Sequence, residues 1–137
     1  MNLTVQYINP NHVAQSWELV APFLDRALVF SQGDYNLDQL KSLIILGQQT
    51  LLVAVDEANE VRGAASIAFI NTPNSRIAFI TTIGGKLITN EDTFAQLRAF
   101  LISQGATKIQ GYVRQSMAKF RKKYGFEEKA ALVEATL

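Results

Sequence analysis

The chain has 137 residues, of which 48% are apolar, and this length and composition are typical of one compact domain with a core of its own. The 13 basic and 12 acidic side chains give a net charge of +1, which argues against a strongly basic nucleic-acid binder and against an acidic disordered tail. The absence of cysteine excludes disulfides, a thiolate nucleophile and cysteine-ligated metal sites. We therefore expect a single domain over residues 1–137, with no metal site.

The N-terminus and the hydropathy pattern predict a soluble protein. Residues 1–5 lack a basic region followed by a long apolar stretch, so they do not predict a secretory signal. No apolar run approaches the roughly 20 residues that a membrane helix requires. We expect the protein in the cytoplasm of a cell, or inside a particle assembled there.

The first predicted elements are an edge strand and a long helix. Residues 3–8 alternate weakly between apolar and polar, and Asn9-Pro10-Asn11 ends that strand. Apolar residues then recur every three or four positions, which predicts an amphipathic helix: Val13, Trp17, Val20, Leu24 and Leu28. Pro22 removes one backbone hydrogen bond, so we expect a kink or a break near residues 18–20.

The middle of the chain predicts a second helix followed by strands. Asn36 can cap a helix that carries Leu37, Leu40 and Ile44 on one face, with Leu43 as a further candidate. The apolar segments 51–55 and 64–70 read as strands joined by a short hairpin, and Thr72-Pro73-Asn74-Ser75 makes the next tight connection.

The C-terminal third predicts strand, turn, helix, strand and helix. The apolar, β-branched run 77–83 is interrupted by Gly84-Gly85-Lys86. Residues 89–92 open a helix, since the Thr89 hydroxyl or the Asn90 amide can cap it and acidic residues suit its first turn. One face of that helix carries Phe94, Leu97 and Leu101, and Gly105 ends it. A strand over 108–114 and a helix over 115–124, stopped by Gly125, follow.

This order of elements, with Val61-Arg62-Gly63 opening the third strand and Gly125-Phe126 after the last helix, resembles the core of the GNAT superfamily of acetyl-CoA-dependent N-acetyltransferases. The resemblance implies one α/β domain, with a mixed, mostly antiparallel twisted sheet and helices on both faces. The expected order is β-α-α-β-β-β-α-β-α-β. It also implies that the strands centred on Thr81 and Val113 splay apart.

A narrower resemblance is to a divergent branch of that superfamily found in tailed-phage genomes and prophages. The features that carry it are Trp17, residues 47–52, Gly84-Gly85, Gly105, Arg114 and Gly125. This branch implies an alternative to catalysis, namely a non-catalytic structural or accessory protein with a virion or assembly protein as its partner. Its location would then be virion-associated.

The family resemblance implies a cofactor site at the glycine turn, where backbone N–H groups meet the pyrophosphate of CoA. The candidate cofactor-binding residues are Thr82, Ile83, Gly84, Gly85, Lys86 and Arg114. The glycines are adjacent rather than spaced as in the family, and Glu91 and Asp92 follow them. Two alternatives stay open, acetyl-CoA or no cofactor. Arg114 likewise either clamps a phosphate or bonds loop carbonyls or Glu127.

The proton-transfer groups of the family have no counterpart in this sequence, so the catalytic residues remain unassigned. Four residues before Gly125, where the family often has tyrosine, stands Arg121, and the strand 77–83 has no carboxylate to act as a base. Direct attack of a well-positioned amine on a thioester remains an open route to N-acyl transfer. The basic cluster on the last helix is read as a solvated face: Lys119, Arg121, Lys122 and Lys123.

The tail after Gly125 has room for one strand. Either this sixth strand is vestigial, or a partner completes the sheet. An unpaired strand ending in residues 131–137 would favour a homo-oligomer formed through it.

Overall fold

The computed structural model describes residues 2–29, 33–87, 90–112 and 123–137. The strands are β1 (Thr4–Ile8), β2 (Thr50–Val55), β3 (Val61–Thr72), β4 (Ser75–Gly85) and β5 (Lys108–Gly111). The α-helices are α1 (Val13–Leu28), α2 (Leu37–Ile45) and α3 (Glu91–Ser103), and a short 3-10 turn at Pro10–His12 leads into α1.

The five strands form one sheet in the order β1-β2-β3-β4-β5. The first four are antiparallel to their neighbours, and β5 is parallel to β4. The parallel pair is joined through α3, the crossover connection that parallel strands require. The predicted mixed, mostly antiparallel sheet is thereby confirmed.

The core lies on both sides of this sheet because side chains alternate along each strand. Leu51 and Val53 of β2 pack against α1 and α2 with Trp17 and Leu40. Leu52, which lies between them, packs on the other face against the helix α3. Helices on both faces are what the sequence predicts.

Local capping explains where α2 and α3 begin. The Asn36 side chain accepts from the Gln39 N–H while the Gln39 side chain accepts from the Asn36 N–H, which forms a capping box. Asn90 accepts from the N–H groups of Asp92 and Thr93. Gly105 follows α3 at φ +85°, a left-handed conformation that glycine adopts readily. No described helix is both long and apolar enough to cross a membrane.

Of the two alternatives expected near Pro22, the break is wrong, because α1 runs through this residue without interruption, and the kink stays a prediction. Buried side chains lie on both sides of the proline, with Trp17 and Val20 before it and Leu24 after it. Packing of this face against the sheet outweighs the one backbone hydrogen bond that proline removes.

The C-terminal segment differs from the expected order. Residues 126–137 form no strand, and those from Glu127 onward are exposed, so the sixth strand is not part of this sheet. The segment begins with Glu127-Glu128-Lys129-Ala130-Ala131, residue types that are depleted in strands. The helix expected over 115–124 lies largely outside the described residues.

Candidate functional site

The pairing of β4 with β5 ends at Ile80. It runs in parallel from Ile77–Lys108 to Ile80–Gly111, whereas β4 continues to Gly85. Val113, on which the expected splaying of the two strands depends, lies outside the described residues. A bulge follows the last pair, because Ser66 pairs with Thr82 while its neighbour Ile67 pairs with Ile80, leaving Thr81 as the extra residue. Beyond Ile80, no described strand pairs with the outer edge of β4.

The register of β3 with β4 fixes where the N–H groups of the candidate turn point. The Lys86 N–H donates to the Arg62 carbonyl at 2.9 Å. Hydrogen-bonded and non-hydrogen-bonded pairs alternate in an antiparallel ladder, so Gly84 and Thr82 also direct their N–H groups to β3. By the same alternation, Ile83 and Gly85 direct their N–H groups to the edge of β4 that faces away from β3. We call this edge, beyond Ile80, the open edge.

The adjacent glycines allow α1 to pack directly on β4. A methyl group at Gly84 would lie 2.7 Å from the Phe23 carbonyl oxygen in α1. Gly85 has φ +69°, and a methyl group there would collide with the Arg62 carbonyl. This close approach is a structural reason for both glycines, independent of any ligand.

The buried hydroxyl of Thr93 ties the turn to the start of α3. It lies 2.9 Å from the Lys86 carbonyl oxygen and 3.0 Å from that of Leu87. These contacts hold the segment after β4 against the first turn of the helix, so the turn and the helix N-terminus have a fixed relative position.

Both acidic side chains in the first turn of α3 have partners. Glu91 forms a 2.9 Å ion pair with Lys123, and this contact raises the pKa of Lys123. Asp92 accepts a hydrogen bond from the Gln96 side chain at 3.0 Å. The negative charge that a phosphate would meet here is thus partly compensated.

A polar cluster beside the bulge was not predicted from the sequence. The Thr81 hydroxyl donates to the Gln49 side-chain oxygen at 2.6 Å, and the Ser66 hydroxyl lies 2.6 Å from that of Thr81. Ser66 also contacts the Thr82 hydroxyl, and Gln49, Ser66 and Thr82 are buried. The available signal was Ser66 itself, a hydroxyl inside the apolar run 64–70.

Part of the predicted site lies outside the described residues. Thr82, Ile83, Gly84, Gly85 and Lys86 form one continuous stretch from the bulge to the turn. Arg114 and Arg121 are not in the described ranges. Tyr124 packs its ring against Phe94, with centroids 4.3 Å apart, which places the end of the last predicted helix beside α3.

Two concave regions of the surface lie away from this stretch. One, of about 290 Å³, is bounded by α3, the start of β5 and residues 124–126. The other, of about 450 Å³, is a groove between β1 and the start of α1 that includes Tyr7, His12 and Leu19. Neither contains the glycine turn. In the described ranges, no three acidic, histidine or cysteine side chains are grouped as a metal site would need.

This chain resembles known proteins in its three-dimensional structure and not in its sequence. No protein-family model and no curated protein matches the chain.

Among solved structures, the chain is similar over 98% of its length to a predicted acetyltransferase with acetyl-CoA from Clostridium acetobutylicum, with 96% of that protein covered, a TM-score of 0.65 and 16% identity. It is also similar to the aminoglycoside 6'-N-acetyltransferase AAC(6')-Ih from Acinetobacter baumannii, at TM-score 0.66, 15% identity and coverage of 99% and 98%. A third is glucosamine-6-phosphate N-acetyltransferase from Arabidopsis thaliana, at TM-score 0.64, 10% identity and 99% coverage of both chains. The chain therefore has the fold of the GNAT acetyltransferases.

Proposed function

We propose that this chain is an N-acyltransferase that uses acetyl-CoA and holds its pyrophosphate at the open edge of β4. The observation that carries the proposal is the pair of N–H groups of Ile83 and Gly85, directed to an edge that no described strand covers. The N-terminus of α3 follows directly, and its dipole favours an anion. The likeness to a predicted acetyltransferase with acetyl-CoA supports the choice of ligand.

The residues present fit such a ligand in charge. Lys123 offsets Glu91, and the exposed Lys86 lies at the turn itself. Arg114 ends the predicted fifth strand, and its planar guanidinium suits a phosphate. We assign Thr82, Gly84 and the Lys86 backbone to the support of the turn, and Ile83, Gly85 and Arg114 to the contacts with the pyrophosphate.

The chemistry follows from positioning. Bound acetyl-CoA would supply a thioester whose acyl group a neighbouring amine can accept. A C–N bond forms as the C–S bond breaks, CoA leaves as its thiolate, and the proton that the amine loses passes to that thiolate through solvent. The residues of this chain hold the donor in place and orient it along the open edge of β4, which reduces the entropic cost of bringing two reactants together.

The proposal is tested by a thermal-shift titration with acetyl-CoA. At a hundred times its dissociation constant, the ligand should add about 2.7 kcal/mol to the free energy of unfolding. The acetyl thioester of N-acetylcysteamine, which has no pyrophosphate, is the matched control and should give no shift at the same concentration. No stabilisation by millimolar acetyl-CoA would overturn the proposal.

Replacement of Arg114 by alanine tests the charged contact. We expect acetyl-CoA to bind more weakly by roughly 1.5 to 3 kcal/mol, the range for a charge-assisted hydrogen bond, while the melting temperature of the unliganded protein changes little. Arg114→Lys should recover part of the affinity, because it keeps the charge without the fork. A lower melting temperature with unchanged affinity would instead assign Arg114 to a structural contact.

A second candidate is a non-catalytic accessory protein, including a virion or assembly protein, that has this fold without the reaction. The packing of α1 on Gly84 favours it, since the glycines are accounted for without a cofactor. If the protein has this role, neither acetyl-CoA nor the acetyl thioester of N-acetylcysteamine should stabilise it. The gene's position beside portal, capsid or tail genes would support it.

A further inference from the structure

One part of the sheet presents apolar side chains that α1 and α2 do not cover. We call it the open face, formed by Ala68, Ile70, Ile77, Phe79 and Tyr112. Ile67 and Ala78 pack against α3, so their neighbours Ala68 and Phe79 lie on the opposite face by alternation. Ala68 pairs with Phe79 and Ile70 with Ile77 across the two strands. Ile70 is 44% exposed and Tyr112 is 48% exposed.

The open face includes the last residues at which β4 and β5 pair. Phe79 precedes the bulge residue Thr81 by two positions, and Tyr112 follows Gly111, the last residue that pairs with β4. The rings of Phe79 and Tyr112 meet edge to face, with centroids 5.3 Å apart. A molecule resting on these rings would therefore lie beside the place where the acyl donor is proposed to reach.

The charges on and around the open face favour some amine acceptors over others. None of the five strands carries an aspartate or a glutamate, and Lys108, which pairs with Ile77, adds a positive charge to the open face. The polar groups beside the bulge, Gln49 and Thr81, are neutral. A polycation would find no compensating charge on these strands, whereas a single ammonium group can be accommodated by aromatic rings and its apolar substituent by the isoleucines.

We infer that the acyl acceptor is a monoamine with an aromatic or branched aliphatic group, and that this group packs on the open face. The inference rests on the proposed N-acyl transfer, and it specifies the acceptor of that reaction. It distinguishes this chain from enzymes whose acceptors carry several amino groups.

The test uses phenethylamine as the probe and spermidine as the polycationic comparison. Saturation-transfer NMR with the wild-type chain should show binding of phenethylamine and none of spermidine at equal concentration. Tyr112→Ala should weaken phenethylamine binding about three- to tenfold, the change expected from the loss of one aromatic contact. With acetyl-CoA present, the same variant should raise KM for phenethylamine more than it lowers kcat.

Tyr7→Ala is the matched control. Tyr7 is also 48% exposed and packs on one phenylalanine ring, that of Phe100 with centroids 5.8 Å apart, but it lies on β1 at the far edge of the sheet. This variant should bind phenethylamine like the wild type. Phe79→Leu, which keeps an apolar side chain in the sheet, gives a second measurement if Tyr112→Ala does not fold.

Three results would overturn the inference: spermidine binding as well as phenethylamine, equal effects of Tyr112→Ala and Tyr7→Ala, or a dimer that dissociates in Tyr112→Ala and so identifies the open face as an interface between copies. Amine binding is measured without acetyl-CoA, so it fails or succeeds separately from the acetyl-CoA thermal shift that tests the proposed function.

Discussion

At the scale of single residues, Asp56 organises the hairpin between β2 and β3. Its carboxylate accepts from the N–H groups of Ala58 and Glu60 at 2.9 and 3.0 Å, and from the Arg62 guanidinium at 2.8 Å. These contacts lower the pKa of Asp56 below its usual value of 3.8, and the hydrogen bond from the Glu60 N–H has the largest effect, followed by that from Arg62. One buried carboxylate thus closes the turn that begins β3, and its anionic form is favoured in the folded protein.

The contribution of Asp56 to stability should depend on pH. Because its pKa is lowered on folding, the stabilisation is fully present above pH 3.8 and is lost as the pH falls through the lower folded value. Urea unfolding of the wild type and of Asp56→Asn should give a difference in free energy that is constant from pH 7 to 5 and shrinks below pH 3.8. A difference that does not change with pH would contradict this assignment.

Gln96 is the residue that covers the outer edge of β1. Its side-chain oxygen accepts from the Val5 N–H, and its side-chain nitrogen donates to the Leu3 carbonyl, both at 2.8 Å. The amide group therefore bonds to the edge strand in the way that a neighbouring strand would. Such protection matters because an unpaired edge is a template for association.

Gln96→Leu should lower the free energy of unfolding by about 1 to 3 kcal/mol, since it leaves two backbone groups of the edge strand without their partner. Chemical denaturation measures the loss. Gln48→Leu, at an exposed position after α2, should be close to neutral. Equal stability of the two variants would show that water replaces the Gln96 contacts without cost.

At the scale of secondary-structure elements, the position of α1 on the sheet depends on β4 having no side chain at Gly84. The Phe23 carbonyl oxygen occupies the place where a methyl group would lie. Helix α1 also covers the N-terminal half of β3, where Ala64 is fully buried. Small residues on both strands thus bring the helix backbone close to the sheet, and the glycine turn is part of that packing.

Gly84→Ala should destabilise the protein by about 1 to 3 kcal/mol, the usual cost of overpacking, because α1 must move away from β4. Gly111→Ala is the control, since a methyl group there meets its nearest neighbour, the Ile80 carbonyl oxygen, at an ordinary 3.4 Å and the backbone φ is not left-handed. The control should be neutral or slightly stabilising. Thermal unfolding compares the two, and equal melting temperatures would show that α1 adapts without cost.

At the scale of the whole molecule, the C-terminal segment presents apolar side chains to solvent. Leu132, Val133 and Leu137 are 57%, 88% and fully exposed. They follow residues that pack on α3 through Phe126. An apolar segment that pairs with none of the described strands favours contact with another copy.

We expect the protein to self-associate through this segment. Replacement of Leu132 and Val133 by serine should shift the sedimentation profile toward the monomer, while Ala131→Ser should leave it unchanged. The fold should remain intact in both variants, since none of these side chains is buried. A wild-type protein that is monomeric at high concentration would contradict the prediction.

The sequence by itself determined the elements, their order and the residues that start and stop them. Asn36 and Asn90 cap helices as predicted, and Gly105 ends α3. Phe94 and Leu97 are buried on the predicted face. These features were predictable because the interactions that decide them act within a few residues along the chain, through hydrogen-bond caps and the periods of helix and strand. The resemblance drawn from that order also led to the correct fold.

Only the tertiary structure decided what the candidate site contains. The contact of Gly84 with Phe23, the bond between Thr81 and Gln49, and the ion pair of Glu91 with Lys123 join residues that are far apart in sequence. The same holds for the register that points Ile83 and Gly85 to the open edge and for the unbroken α1. Each depends on which surfaces meet when helices and strands pack, and packing energy outweighs local preference wherever the two differ.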